Sequence, residues 1–198
     1  TANLIENGVD PENILTVTFT NKAAKDMKKK ITKTIGRESI KGMWIGTFHS
    51  ICLRILRRNL HKVNRTEGCL IYNTEDSINI IEDIIEEFNM NENDYQPDIV
   101  FNVVQKAKMQ LVLPDRLVDT YAKETKGSEI YYQNVSKIYR EYERVLENNN
   151  SFDFNDLILK TIFLFDEYDD ILQKYRDKFR YIHVNEYHDV NHSQYKNT

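Results

Sequence analysis

The chain has 198 residues, 40% hydrophobic and 29% charged, enough for one ordinary domain or two small ones and too apolar for a disordered protein. No apolar run approaches the roughly 20 residues needed to cross a bilayer, and no signal-peptide pattern opens the chain. Cys52 and Cys69 form no CxxC pair, so neither a zinc site nor a disulfide framework is indicated, and a reducing, cytoplasmic compartment is expected. The net charge of −4 is split unevenly: residues 1–65 hold 13 Lys and Arg against 5 Asp and Glu, and residues 66–198 hold 14 against 26. Any polyanion-binding surface should therefore be local to the first third.

Residues 1–13 (TANLIENGVDPEN) read as the tail of a helix. Leu4 and Ile5 are apolar, Gly8 is a C-cap candidate and Asp10-Pro11 marks a turn. A helix without a start signal suggests that something upstream is missing. Residues 14–19 (ILTVTF) are β-branched and aromatic and predict a strand. Thr20 or Asn21 can cap the next helix, whose apolar positions Ala24, Met27, Ile31 and Ile35 keep helical spacing until Gly36. Its other face carries Lys22, Lys25, Lys28, Lys29, Lys30 and Lys33, as solvated helix surfaces often do. Lys22 differs, because it sits at the strand-to-helix junction, where free N–H groups and the helix dipole attract phosphate.

Residues 44–48 (WIGTF) predict a second strand. Thr47, His49 and Ser50 open a helix with Ile51, Ile55 and Leu56 inward and Arg54, Arg57 and Arg58 outward. Residues 69–72 (CLIY) are a third strand candidate. The strand–helix alternation predicts an α/β fold, a mainly parallel sheet with flanking helices.

From Thr74 the pattern becomes helical. Ile78, Ile81, Ile85 and Phe88 mark one amphipathic helix, Pro97 opens a second with Val100, Val104 and Ala107, and Pro114 a third, short one. Residues 128–147 predict a long helix with Tyr132, Val135, Tyr139, Tyr142 and Leu146 on its apolar side. This block reads as an inserted all-helical subdomain, dividing the chain into 1–73, 74–150 and 151–198. Residues 152–165 (FDFNDLILKTIFLF) restart as a helix whose first turn Asp153 and Asp156 can cap. A helix over 170–179 then leads into a last strand that opens YIHVNEYHDVN (181–191).

Two quartets, Phe19-Thr20-Asn21-Lys22 and Thr47-Phe48-His49-Ser50, each join an aromatic platform to cationic or hydroxyl donors, the mix that single-stranded nucleic acid needs. Asn185, Glu186, His188 and Asp189 follow the last strand, where open α/β sheets place ligands. Glu186 with Asp189 has the form of a nucleotide-hydrolysis strand, in which one carboxylate orders magnesium and its neighbour activates water. His183 and His188 cannot share one strand face and read as ordinary histidines. Ser50 lacks the elbow glycines of a nucleophile.

VTFTNKAAKDM (17–27) resembles motif Ia of the PcrA/UvrD/Rep family of superfamily-one DNA helicases, and GTFHSICLRILRR (46–58) resembles motif Ib with its helix. FDFNDLI (152–158) resembles the segment before motif II, and YIHVNEYHDVNHSQY (181–195) resembles motif II itself. The resemblance covers essentially the whole chain. It implies a RecA-like first motor domain, ATP and Mg2+ as cofactors of the intact protein, 3′-to-5′ movement on single-stranded DNA, and an accessory helical subdomain that faces duplex. It also implies that Phe19 stacks on a base among Thr20, Asn21 and Lys22, that Thr47 and His49 contact the backbone, and that Glu186 activates water, with Asp189 in the same motif.

Departures from the family pattern temper the catalytic expectation. Asn185 stands where the family has the metal-ordering Asp, and an amide offers one neutral oxygen where magnesium prefers an anionic one. His188 replaces a nucleotide-sensing Gln, Val190 a Thr, and Asn155 an Asp. No GxxxxGK[ST] occurs anywhere. The expectation is a helicase fragment that binds single-stranded DNA through motifs Ia and Ib, holds neither ATP nor Mg2+ tightly and does not hydrolyse ATP alone. The alternative is a catalytically inert, helicase-derived nucleic-acid-binding or protein-interaction domain. A missing phosphate-loop strand would leave an exposed sheet edge, so self-association is also expected.

Overall fold

In the computed structural model, which describes residues 1–122 and 129–185, a short helix α1 (Ala2–Glu6) and a turn at Pro11–Asn13 precede the strand β1 (Ile14–Thr18). All five β1 residues are buried, as a parallel strand with neighbours on both edges requires. Thr20 Oγ1 accepts the Ala23 N–H at 3.1 Å and starts α2 (Asn21–Ile35), which ends at Gly36 with φ 85°. Ile31 of α2 packs with Ile14, Ile40 and Met43 in a small core. β2 (Trp44–Thr47) runs parallel to β1, with Thr47 beside Thr18. It passes into α3 (Phe48–Leu56), which buries Ile51, Cys52, Ile55 and Leu56 and exposes Arg54. Burial pushes the Cys52 thiol up to about 12, so it is an inert core group at neutral pH.

Thr1–Arg58 and the residues from Lys160 form one compact unit, and Asn59–Leu159 forms a second. The second holds β3 (Leu70–Ile71), α4 (Thr74–Glu87), α5 (Pro97–Met109), α6 (Leu117–Tyr121), α7 (Glu129–Asn148) and β4 (Ser151–Phe152). Asn73 and Asp76 form a reciprocal capping box on α4, and Pro97 opens α5. The core draws Ile81, Ile84 and Ile85 from α4, Val100 and Val104 from α5, and Val135, Tyr139, Tyr142 and Leu146 from α7. Ile84 replaces Phe88 in the expected α4 stripe, since Phe88 is the exposed C-cap. The predicted start of α7 at Ser128 lies outside the described residues.

One strand differs from expectation. Residues 69–72 do not extend the main sheet; Leu70–Ile71 pairs in parallel with Ser151–Phe152 as a separate two-stranded ladder. Two residues cannot show a period-two pattern, so β4 was hidden between a polar run and a helix start. Arg65 locks it: its Nε donates to Ser151 O at 2.8 Å, and its guanidinium lies 4.8 Å from the centre of the buried Phe152 ring. The helix-rich unit thus includes 59–73 and 151–159 and carries strand as well as helix.

α8 (Asp156–Glu167) begins with the expected cap, now reciprocal: the Asp156 N–H donates to Asp153 Oδ1 at 2.8 Å, and the Asp153 N–H to Asp156 Oδ2 at 3.2 Å. The same carboxylates surround a buried cation. Lys108 Nζ lies 2.6 Å from Asp153 Oδ2, 2.8 Å from Asp156 Oδ1 and 2.6 Å from Glu143 Oε1. The Gln105 amide and the Tyr142 hydroxyl also donate to Asp153, at 2.9 and 3.0 Å. Burial alone would lower the Lys108 pKa, but the carboxylates outweigh it and hold the ammonium well above its ordinary range. A raised pKa means that this contribution is complete below the unfolded value of about 10.4 and is lost only as pH rises through the folded one.

α9 (Asp169–Lys178) leads to β5 (Tyr181–Val184), which pairs with β1 in parallel and completes the order β2-β1-β5. Among the described residues β5 pairs on one side only, and Tyr181 and Ile182 are each 41% exposed. The fold is α/β, mostly helical with a small parallel sheet. Among the described residues no helix is long and apolar enough to cross a membrane. Replacing Lys108 with Ala should destabilise the second unit by about 3–5 kcal/mol, because it strands three carboxylates without a counter-charge. Urea unfolding followed by circular dichroism measures this, and a loss under about 1 kcal/mol would contradict the stabilising role assigned to the ion cluster.

Candidate nucleic-acid interface

Parallel pairing in register brings the C-terminal ends of β2, β1 and β5 to one edge of the sheet, where open α/β sheets hold ligands. Phe19 follows β1 and Phe48 follows β2. Their ring centroids are 5.5 Å apart with planes tilted by 50°. Phe48 is 4% exposed and backs the half-buried Phe19. On either side of this pair a threonine caps a helix: Thr20 for α2, and Thr47 for α3, whose Oγ1 accepts the Ser50 N–H at 3.2 Å. Two helix N-termini and their partial positive charge thus meet at the same edge as the aromatic pair.

Thr20, Asn21 and Lys22 are exposed in the first turn of α2, whereas Thr47 is buried and committed to its cap. Ser50 Oγ donates to Thr47 O at 2.8 Å, and a side chain at Gly46 would collide with that same hydroxyl. The absence of a Cβ at Gly46 therefore lets α3 start hard against β2. Burial lowers the pKa of the half-buried His49 to about 4, so its imidazole is neutral at pH 7 and can serve as a dipolar donor but not as a cation.

The sequence matches the family model for the UvrD/REP helicase N-terminal domain over residues 1–197. The chain belongs to this family. It is 39% identical over 192 residues to the ATP-dependent DNA helicase PcrA of Bacillus subtilis. It is 36% identical over the same length to PcrA proteins of Staphylococcus epidermidis and Staphylococcus aureus. Each match covers 97% of this chain and 25% of the relative, so the chain spans about a quarter of these proteins.

Within this UvrD/REP domain β5 is the strand whose sequence resembles motif II, and the residue that follows it, Asn185, donates its N–H to Val17 O at 2.9 Å. Asn185 thereby stands beside the end of β1. Glu186, His188, Asp189 and Val190 lie outside the described residues. Among the described residues no cluster of three His, Cys, Asp or Glu side chains could hold a metal ion. Asp153 and Asp156, the acidic pair at the start of α8, are held by Lys108. Asn155 donates its side-chain amide to Gln105 Oε1 at 2.8 Å.

Sequence reasoning missed three features. The Phe19–Phe48 pair needs adjacency of two strand ends, which no local pattern reports. Lys108 sits four residues after Val104, at an apolar-stripe position of α5, and this misplaced charge was a readable signal. Trp44, 1% exposed, carries the Arg54 guanidinium at 3.8 Å and the Arg58 guanidinium at 4.7 Å from its ring centre.

Two tests follow from this geometry. A depressed His49 pKa gives a contribution to stability that is present above the unfolded value of about 6.5 and fades as pH falls toward 4. Urea midpoints at pH 7.5 and pH 5 should therefore converge in His49→Gln relative to the unsubstituted chain. Thr47→Ala should cost about 1 kcal/mol through the lost α3 cap, read as a lower urea midpoint with an unchanged slope.

Proposed function

We propose that the chain is most of the first motor domain of a UvrD/PcrA-like, ATP-dependent 3′-to-5′ DNA helicase, and that it binds single-stranded DNA across the ends of β1 and β2. The observation that carries this reading is the Phe19–Phe48 pair between two threonine-capped helix N-termini. An unstacked base lies on Phe19, which Phe48 braces from below. Asn21 and Lys22 at the open end of α2 meet its phosphate, with neutral His49 as a further donor. Thr20 and Thr47 act by holding the two helix ends in place. The helices α4 to α7 form the accessory subdomain that faces duplex DNA, and the side of β5 that pairs with no strand among the described residues supports self-association.

ATP and Mg2+ serve the intact protein, with Glu186 as the base toward water and Asp189 in the same motif. This chain's own residues fit them poorly, because its sequence contains no GxxxxGK[ST] loop and the residue bonded to the end of β1 after β5 is the amide Asn185. The chain binds DNA without turning over nucleotide. Asn185 also favours the second reading, an inert helicase-derived binding domain, since it lies where hydrolysis would occur. Reading frames on both sides of the chain separate the two: a phosphate loop before it and later helicase motifs after it support the fragment.

Phe19→Ala should weaken single-strand binding by about 1–3 kcal/mol in fluorescence anisotropy titrations; an unchanged affinity removes Phe19 from the site. The purified chain should show no magnesium-dependent ATP turnover. Turnover that disappears in Glu186→Gln would overturn the assignment of inactivity.

A further inference from the structure

A second charged surface lies apart from the Phe19 platform. An open groove of about 1100 Å³ runs along α2 and the connection into β2. Lys25, Lys28, Lys29 and Lys33 line it from α2. Arg37 and Lys41 line it from the connection, and Arg54 lines it from α3. Glu38 is the only carboxylate among the lining residues. Glu12 packs beside Gly42 but pairs with Lys178 at 3.7 Å. None of the seven cations makes an ion pair among the described residues, although acidic groups outnumber basic ones over the whole chain.

Arg54 is more than a mobile surface charge. Its guanidinium is stacked on the buried Trp44 ring, with Arg58 on the same ring, so its orientation is set before any ligand arrives. Partial burial and repulsion from Arg58 lower its pKa, and the Tyr175 phenol offsets them only in part. Lys25 to Lys33 span two turns of α2, about 12 Å at 1.5 Å per residue. One strand of a duplex carries a phosphate about every 3.4 Å along its axis, so roughly three or four phosphates fit beside this stripe.

We propose that this groove is a second nucleic-acid contact, a track for the phosphate backbone that starts one turn beyond Lys22 and leads along α2 to Arg37, Lys41 and Arg54. It positions the strand without reading bases, because its lining offers cations and methylenes but no exposed aromatic platform. The ligand chemistry is a polyphosphate backbone, single-stranded or duplex.

The test is the salt dependence of binding by the 198-residue chain and by Lys25→Gln/Lys29→Gln/Lys33→Gln, in which glutamine preserves helix propensity. A second triple variant, Lys30→Gln/Lys174→Gln/Arg180→Gln, removes the same charge away from the groove. Far-UV circular dichroism confirms that both fold. For the groove variant, the slope of log Kobs against log salt should fall in magnitude by about 2 with a single-stranded oligonucleotide and by about 3 with a duplex. A reduction with either probe that the control variant lacks supports the track. Phe19→Ala should lower single-strand affinity and leave the slope unchanged, so failure of the platform and failure of the track are distinguishable. An unaltered slope, an equal change in the control variant, or poly-glutamate bound as tightly as either DNA would overturn the proposal.

Discussion

Parallel pairing on both edges of β1 is the constraint from which the candidate site follows. A strand flanked by β2 and β5 in one direction must send its neighbours' carboxyl ends to the same side. Phe19, Phe48 and Asn185 are distant in sequence, and they share an edge for this reason alone. Complete burial of β1 makes the arrangement stiff: Ile14 and Val17 are 0% and 2% exposed, and slipping the register by one residue would turn those side chains onto the other face.

The second unit rests on a different kind of interaction. Its core is largely isoleucine, valine and tyrosine, yet one ammonium lies at its boundary within 2.8 Å of three carboxylates. Lys108 joins α5 to α7 through Glu143 and to the start of α8 through Asp153 and Asp156. A purely apolar contact could be equally stable, but a buried charge penalises any packing that fails to bring the partners together. The ion cluster therefore fixes which helices meet, while the apolar residues supply the bulk of the burial.

Local chemistry was legible where a residue type has one dominant structural use. Thr20 as one of two cap candidates for α2, a helix opening at Thr47 to Ser50, Gly36 as a stop, Pro97 as a helix opening and the tyrosine stripe of α7 were all readable from residue type and spacing. The motif order made the UvrD/REP ancestry readable as well. What escaped depended on partners far away in the chain. β4 is two residues long and exists because β3 lies beside it, 81 positions earlier at the Leu70–Ser151 pair. Asp153 and Asp156 read as helix caps, which they are, but nothing in FDFNDLI announces that a lysine 45 residues upstream neutralises them. The lysine face of α2 read as ordinary solvated surface; its groove appears only once Arg37, Lys41 and Arg54 fold beside it.

β2 and α3 adjoin with no residue between them, and Thr47 serves both as the last strand residue and as the helix cap. Such a joint has no slack. A single inserted residue there would rotate the start of α3 by about 100° and carry the Phe48 ring off its partner while both elements remained intact. Chain length at residues 46–50 is consequently as strict a requirement as residue identity. Loops elsewhere can absorb insertions at modest entropic cost; here the length of the chain is what holds the two phenyl rings together.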